Sequence, residues 1–262
     1  MRPRPAHLTP ANAARFQDQS IVDTYLLRAP YPPETFTILA DLVTDAPRAV
    51  LDVGTGPGLI ARELVRCVDR MDAVDWSMPM IALGKGLPGG DHPNLHWLHA
   101  RIEEAELEPP YALITAGVSL HWMDWEVVLP RFHDLLTPHG VLALVNAATT
   151  RPPWHAEMRE VARRFSTMQE REEFRLLDEL SGRGLFRTID ERRTQPVAFS
   201  QSVEDYIEEL HSHSDFSRER MTDDAANAFD AAVRALVGPY ATDGRLALEV
   251  TGGVIWGAPL RP

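Results

Sequence analysis

Gly54, Gly56 and Gly58 alternate through DVGTGPG, and Asp75 closes the next apolar run, MDAVD. Glycine adopts positive φ and lets a ligand lie against bare main chain. A helix opening after such a turn offers N–H groups with no partners of their own, and Pro57 suits its first position. A carboxylate ending the following strand accepts hydrogen bonds from ribose hydroxyls, so loop and acid together read as a site for a nucleoside-bearing ligand. Dinucleotide sites of the G-x-G-x-x-G type carry their third glycine one place later, where Leu59 stands. That spacing counts against a nicotinamide-dependent oxidoreductase. So does the lack of any Tyr-x-x-x-Lys pair, since Lys85 is the sole lysine.

His121, in SLHWMDW, follows another apolar run. Loops at the carboxyl ends of parallel strands form the ligand crevice, and an imidazole there suits proton transfer. The competing reading has His121 and Trp122 simply walling the pocket. Further on, HSHSDFSRER holds His211, His213, Arg218 and Arg220. Arginine clamps carboxylates bidentately, which makes His211, His213 and Arg218 candidate substrate contacts. The alternative is a solvated face pairing with Glu208 and Glu209. No metal is expected: these histidines have no ligand partners at a familiar spacing, and Thr115, Ala116 and Gly117 end the fourth apolar run without a carboxylate. Tyr25 precedes the proline-rich RAPYPPE and Arg28 and Tyr31 lie in it, either as a lid over the site or as a surface staple. Trp122, Trp125, Trp154 and Trp256 hint at an apolar pocket.

The elements that must hold these groups alternate. AVLDV (49–53), MDAVD (71–75), YALITAG (111–117) and GVLALV (140–145) read as buried strands, with NLHWLH (94–99) a weaker one. Helical stretches fall at 59–68, 79–86 and 125–136 between them. Strand and helix in turn, with continuous apolar runs, imply a parallel sheet covered on both faces over about residues 40–150. Helices are expected at 155–175, 176–181, 203–211 and 223–237, a strand and its return at 185–200, and a final strand at 245–257.

The chain has 262 residues and a formal net charge of −12, which argues against a generic grip on nucleic-acid phosphates. The single cysteine, Cys67, excludes an internal disulfide, fits a reducing cytosol and reads as a packed thiol. The opening residues lack a signal-peptide core, and VLALV is too short to span a bilayer, so a soluble cytoplasmic protein without membrane partners is expected.

VLDVGTGPG, AVDWS, ALITAGVSLHW and LLTPHGVLALV together resemble the class I S-adenosylmethionine-dependent methyltransferases. The likeness is nearer to the small-molecule subgroup of the ubiquinone-biosynthesis and trans-aconitate methyltransferases. It spans about residues 45–146, and more weakly YIEELHSHSDFSRERM and VIWGAPL. The resemblance implies a Rossmann-like α/β fold of seven mostly parallel strands, the last antiparallel and supplied by 245–256. A lid over 1–35, a cofactor core over 36–150 and a completing part with helical caps over 151–262 follow from it. Asp52, Gly54, Thr55, Gly56 and Gly58 would face the methionine end of the cofactor. Asp75 would take the ribose, Trp76 the adenine face, and Ala100, Arg101 and Ile102 the adenine edge. Met80, Gly117 and His121 would complete the cofactor wall, with Ala116 beneath the sulfonium. His121 and Tyr25 are the expected catalytic groups, and Tyr31 and Trp122 join the substrate contacts. Two positions depart from the family pattern: Arg101 stands where aspartate is usual, and so does Ala112. The implied reaction is methyl transfer to O, N or C of a small molecule by a monomer or homodimer, giving S-adenosyl-L-homocysteine. The alternative is a non-methylating use of the sulfonium, such as cyclisation.

Overall fold

The computed structural model describes residues 4–168 and 174–261. Among them, eight strands form one sheet: β1 Ala49–Val53, β2 Arg70–Asp75, β3 Leu95–His99, β4 Tyr111–Gly117, β5 Leu136–Thr149, β6 Phe186–Arg193, β7 Val197–Ser202 and β8 Arg245–Pro259. The order is β3-β2-β1-β4-β5-β8-β6, with β7 paired to β8 as well. β1 to β5 run parallel, and β8 runs antiparallel to its neighbours. The expected mostly parallel, Rossmann-like sheet is present, but with an eighth strand. β6 pairs with 253–259 of β8 and β7 with 245–250, so the two share one long edge.

The named helices are α1 Pro10–Ala13, α2 Gln19–Thr24, α3 Pro33–Asp41, α4 Ala61–Leu64, α5 Met78–Lys85, α6 Trp125–Leu135, α7 His155–Phe165, α8 Leu176–Gly182, α9 Val203–His211 and α10 Asp223–Val237. β1 is buried along its whole length, as a central strand with both faces covered must be. Leu51 and Val53 pack on one face with Trp125 and Phe132 of α6, while Val50 packs on the other with Leu39 of α3 and Leu64 of α4. Each such side chain contributes about 1.5–3 kcal/mol on leaving water. A separate cluster of Trp154, Ile207, Phe216, Phe229 and Val233 knits α7, α9 and α10 into a cap. Ser202 and Thr222 cap α9 and α10, and acidic residues occupy both first turns, where the helix dipole favours them.

Several local expectations are corrected. The helix expected at 59–68 shrinks to α4 followed by a 3-10 turn at Val65–Cys67, so Pro57 lies in the turn and not at a helix start. Cys67 is exposed, because the 3-10 turn rotates it off the packed face. The helix drawn over 155–175 ends at Phe165, and 169–173 lie outside the described residues, as do 1–3 of the lid.

Candidate functional site

Gly54, Gly56 and Gly58 all have positive φ, and their reasons differ. A Cβ on Gly54 would sit 2.5 Å from Cβ of Ser119, and one on Gly58 would sit 2.6 Å from the Trp97 ring. Both therefore make room for the chain itself. Gly56 faces the Tyr25 ring, whose nearest atom would be 3.6 Å from an added Cβ. The loop and the acid are physically joined: Gly56 N–H donates to Asp75 Oδ2 at 2.7 Å, and Ser77 N–H donates to Oδ1 at 2.7 Å. Burial pushes the Asp75 pKa up and prevails over these N–H donors, which favour the charged form. Each carboxylate oxygen retains acceptor capacity toward the cavity that Asp75 lines.

That cavity, about 620 Å³, lies beyond the carboxyl ends of β1, β2 and β4. Gly54, Gly56, Asp75, Trp76, Met80, Arg101, Ile102, Gly117, His121, Trp122, Tyr25 and His213 all line it. Arg101 lays its guanidinium 5.2 Å from the Trp76 ring centroid and pairs with Glu103 at 3.9 Å. His121 and Trp122 stand on a 3-10 turn with ring centroids 4.8 Å apart, and the His121 carbonyl accepts from Arg4 at 3.1 Å.

Residues 4–28 form the roof. Ile21 and Val22 pack on Met80, and Ser77 Oγ donates to the Phe16 carbonyl at 2.8 Å. On the cap side, Arg220 grips Asp18 through two bonds of 2.6 and 2.8 Å, and Ser217 Oγ donates to Asp18 at 2.9 Å. Arg15 donates to Thr167 Oγ1 at 2.7 Å and to the Ser214 carbonyl at 2.9 Å. Arg28 donates to Ser212 Oγ at 2.8 Å while lying 4.1 Å from the Tyr25 ring centroid.

Other expected site residues stand outside the cavity lining. Asp52 is buried beneath the loop, accepting from Thr55 and Thr115 hydroxyls at 2.6 Å each, and burial pushes its pKa up to about 6. Its role is to tie Thr55 and β4 to β1. Ala116 is covered by core, and Gly58 abuts Trp97. Tyr31 lies behind Gly117, where burial, with Tyr25 and Asp52 nearby, raises its phenol. His211 is fully buried: its ring bonds the Phe216 carbonyl at 2.6 Å and Asp230 at 2.7 Å. Arg218 is held by Glu208 at 2.6 Å and Asp230 at 3.0 Å. These two brace the cap, because helix α10 supplies Asp230, a partner that α9 alone does not reveal. Of Trp122, Trp125, Trp154 and Trp256, the first lines the cavity and the other three are core.

Sequence reasoning missed His7, Phe16, Ser119, Met168, Phe174, Leu210 and Phe216 as cavity residues. Leu210 and Phe216 flank the histidines already singled out, which was the one available signal. Among the described residues, no group of three or more His, Cys, Asp or Glu could hold a metal.

A parallel sheet in this order, with a glycine turn after β1, an acid ending β2 and a roofed cavity beyond them, defines a nucleotide-type α/β fold with its ligand at the strand ends. Residues 50–140 match the family described as "Methyltransferase domain". An uncharacterised methyltransferase of Mycobacterium tuberculosis is 34% identical over 114 residues, 43% of this chain and 57% of that protein. A malonyl-[acyl-carrier protein] O-methyltransferase of Halalkalibacterium halodurans is 30% identical over 154 residues, 56% of this chain and 55% of its own. A trans-aconitate 2-methyltransferase of Escherichia coli is 34% identical over 116 residues, 43% of this chain and 44% of its own. The chain thus spans about half the length of the curated relatives it matches.

Solved structures agree on the fold. A candidate type II methyltransferase from Anaeromyxobacter dehalogenans superposes with a TM-score of 0.63 at 22% identity, over 90% of this chain and 99% of that one. A methyltransferase from Thiobacillus denitrificans, in complex with S-adenosyl-L-homocysteine, gives 0.53 at 14% identity, over 92% and 98%. No helix among the described residues is long and apolar enough to cross a membrane.

Proposed function

We propose that this chain transfers a methyl group from S-adenosyl-L-methionine to an O, N or C atom of a small molecule bound in the roofed cavity. The junction of the Gly56 N–H with the Asp75 carboxylate, opening on that cavity, carries the reading. The residues present fit the cofactor. Asp75 offers acceptors for two ribose hydroxyls, Trp76 and Ile102 flank a flat base, and Gly54, Gly56 and Tyr25 surround the space for an amino-acid end. Arg101 has no acceptor for an adenine amino group, so that contact falls to backbone, notably at Ile102. When bound, the cofactor would supply an electrophilic methyl on a sulfonium for the acceptor's nucleophilic atom, with the thioether as leaving group.

The chain's own work is then alignment and exclusion of water. The roof and cap close the cavity, and the pinned loop 117–123 fixes the wall beside the reacting atoms. For a hydroxyl or protonated amine acceptor, His121 or Tyr25 would receive the departing proton; a carboxylate acceptor needs no base. His213, Trp122 and Val118 would hold the acceptor. Neither nucleic acid nor membrane is needed as a partner, and the working unit is read as a monomer or homodimer in the cytoplasm. No observation favours cyclisation.

Calorimetry tests the reading. S-Adenosyl-L-homocysteine should bind with a stoichiometry of one per chain, and NAD should not. Incubation of S-adenosyl-L-methionine with a metabolite pool should release S-adenosyl-L-homocysteine; methylthioadenosine instead would replace methyl transfer by cyclisation.

A further inference from the structure

Resting on that reading, we infer that the acceptor is an uncharged, ring-bearing apolar molecule seated against Val118. Val118 has φ +51°, a left-handed conformation that a β-branched residue seldom adopts. The backbone is fixed on either side of it: Val118 N–H donates to the Val145 carbonyl at 3.0 Å, and Ser119 Oγ donates to the Val53 carbonyl at 2.6 Å. Strain of this kind survives where the surroundings over-determine it, and it gathers at ligand sites. Its product here is a valine left 55% exposed, on the cavity wall next to Gly117. Phe16, Trp122, Phe174, Leu210 and Phe216 line the same cavity. A branched apolar group so exposed within a largely aromatic recess is complementary to an apolar ring.

The cationic and imidazole side chains named on the wall are already engaged inside the chain. Arg101 pairs with Glu103, Arg28 bonds Ser212 and lies on Tyr25, and His213 bonds Glu209 at 2.9 Å. Asp215 and, toward the cofactor, Asp75 are further acids of the lining. A polycarboxylate would meet these acids and, among the described lining residues, no arginine without a partner. Desolvating it there would be costly.

The test is titration of the full chain, saturated with S-adenosyl-L-homocysteine, with 1-naphthol and with trans-aconitate as probes. 1-Naphthol should bind with Kd below about 1 mM, and trans-aconitate at least about tenfold more weakly. Val118→Asp suits the variant arm, since aspartate tolerates the left-handed region better than valine and the position is exposed. That variant should weaken 1-naphthol by about tenfold or more while changing S-adenosyl-L-homocysteine affinity by less than about threefold. The inference is overturned if 1-naphthol fails to bind in that range, if trans-aconitate binds as tightly, or if Val118→Asp leaves 1-naphthol unaffected. Failure of S-adenosyl-L-homocysteine to bind the wild type would instead overturn the methyl-transfer reading, and 1-naphthol alone would still decide the character of the recess.

Discussion

Asp75 and Asp52 are two carboxylates a strand apart with opposite duties. Asp75 opens on the cavity and holds the Gly56 loop, so Asp75→Ala should lower S-adenosyl-L-homocysteine affinity about 10- to 100-fold by calorimetry, as loss of hydrogen bonds to a charged group implies. Asp52 is sealed, and its pKa of about 6 lies above the ordinary 3.8. The unfolded chain therefore releases this proton first as pH rises. Stability from this group is complete below the ordinary value and is lost as pH climbs through about 6. Relative to Asp52→Asn, the wild type should lose about 3 kcal/mol between pH 3 and 7, read from urea midpoints. A parallel pair of pH profiles would contradict this assignment.

The roof is an element whose hold can be tested at one joint. Asp18 is buried and its pKa is lowered: burial raises it, but the bonds from Arg220 and Ser217 outweigh burial. Its contribution is thus present above the ordinary carboxylate range and disappears as pH falls below it. Because Arg220 is itself nearly half exposed, the joint is worth only about 1 kcal/mol. Asp18→Asn should speed amide exchange in 15–28 about fivefold at pH 6. Wild type and variant should converge as the medium turns acid; persistence of the difference there would mean that another contact holds the roof. The loop after β1 obeys a similar rule of local necessity. Gly58 yields to Trp97 and not to a ligand, so the three alternating glycines divide their work between packing and site.

For the molecule as a whole, ligand binding is linked to folding. At a concentration about 100 times its Kd, S-adenosyl-L-homocysteine should stabilise the fold by about 2.7 kcal/mol, raising Tm by roughly 5–10 °C. NAD should leave Tm unchanged. If the proposed methyl transfer relies only on the residues described above, a chelator should leave it intact. Loss of activity with chelator would require a ligand set outside those residues.

The strand–helix alternation, the glycine turn and Asp75 were legible because each depends on neighbours in sequence: apolar periodicity, a backbone conformation and the end of one strand. Final strand β8 and helices α9 and α10 were legible for the same reason. The burial of His211 and the pairing of Arg218 were not, because Asp230 reaches them only when α10 packs on α9. The strand and return read at 185–200 are β6 and β7, but their shared partner was not legible: both pair with β8, which is long enough to take them end to end and so brings the sheet to eight strands and not the seven that the resemblance implied. The recess itself was decided by tertiary structure: Phe16, Val118 and Phe216 come from distant, irregular segments, and only closure of roof and cap over the sheet brings their apolar surfaces together.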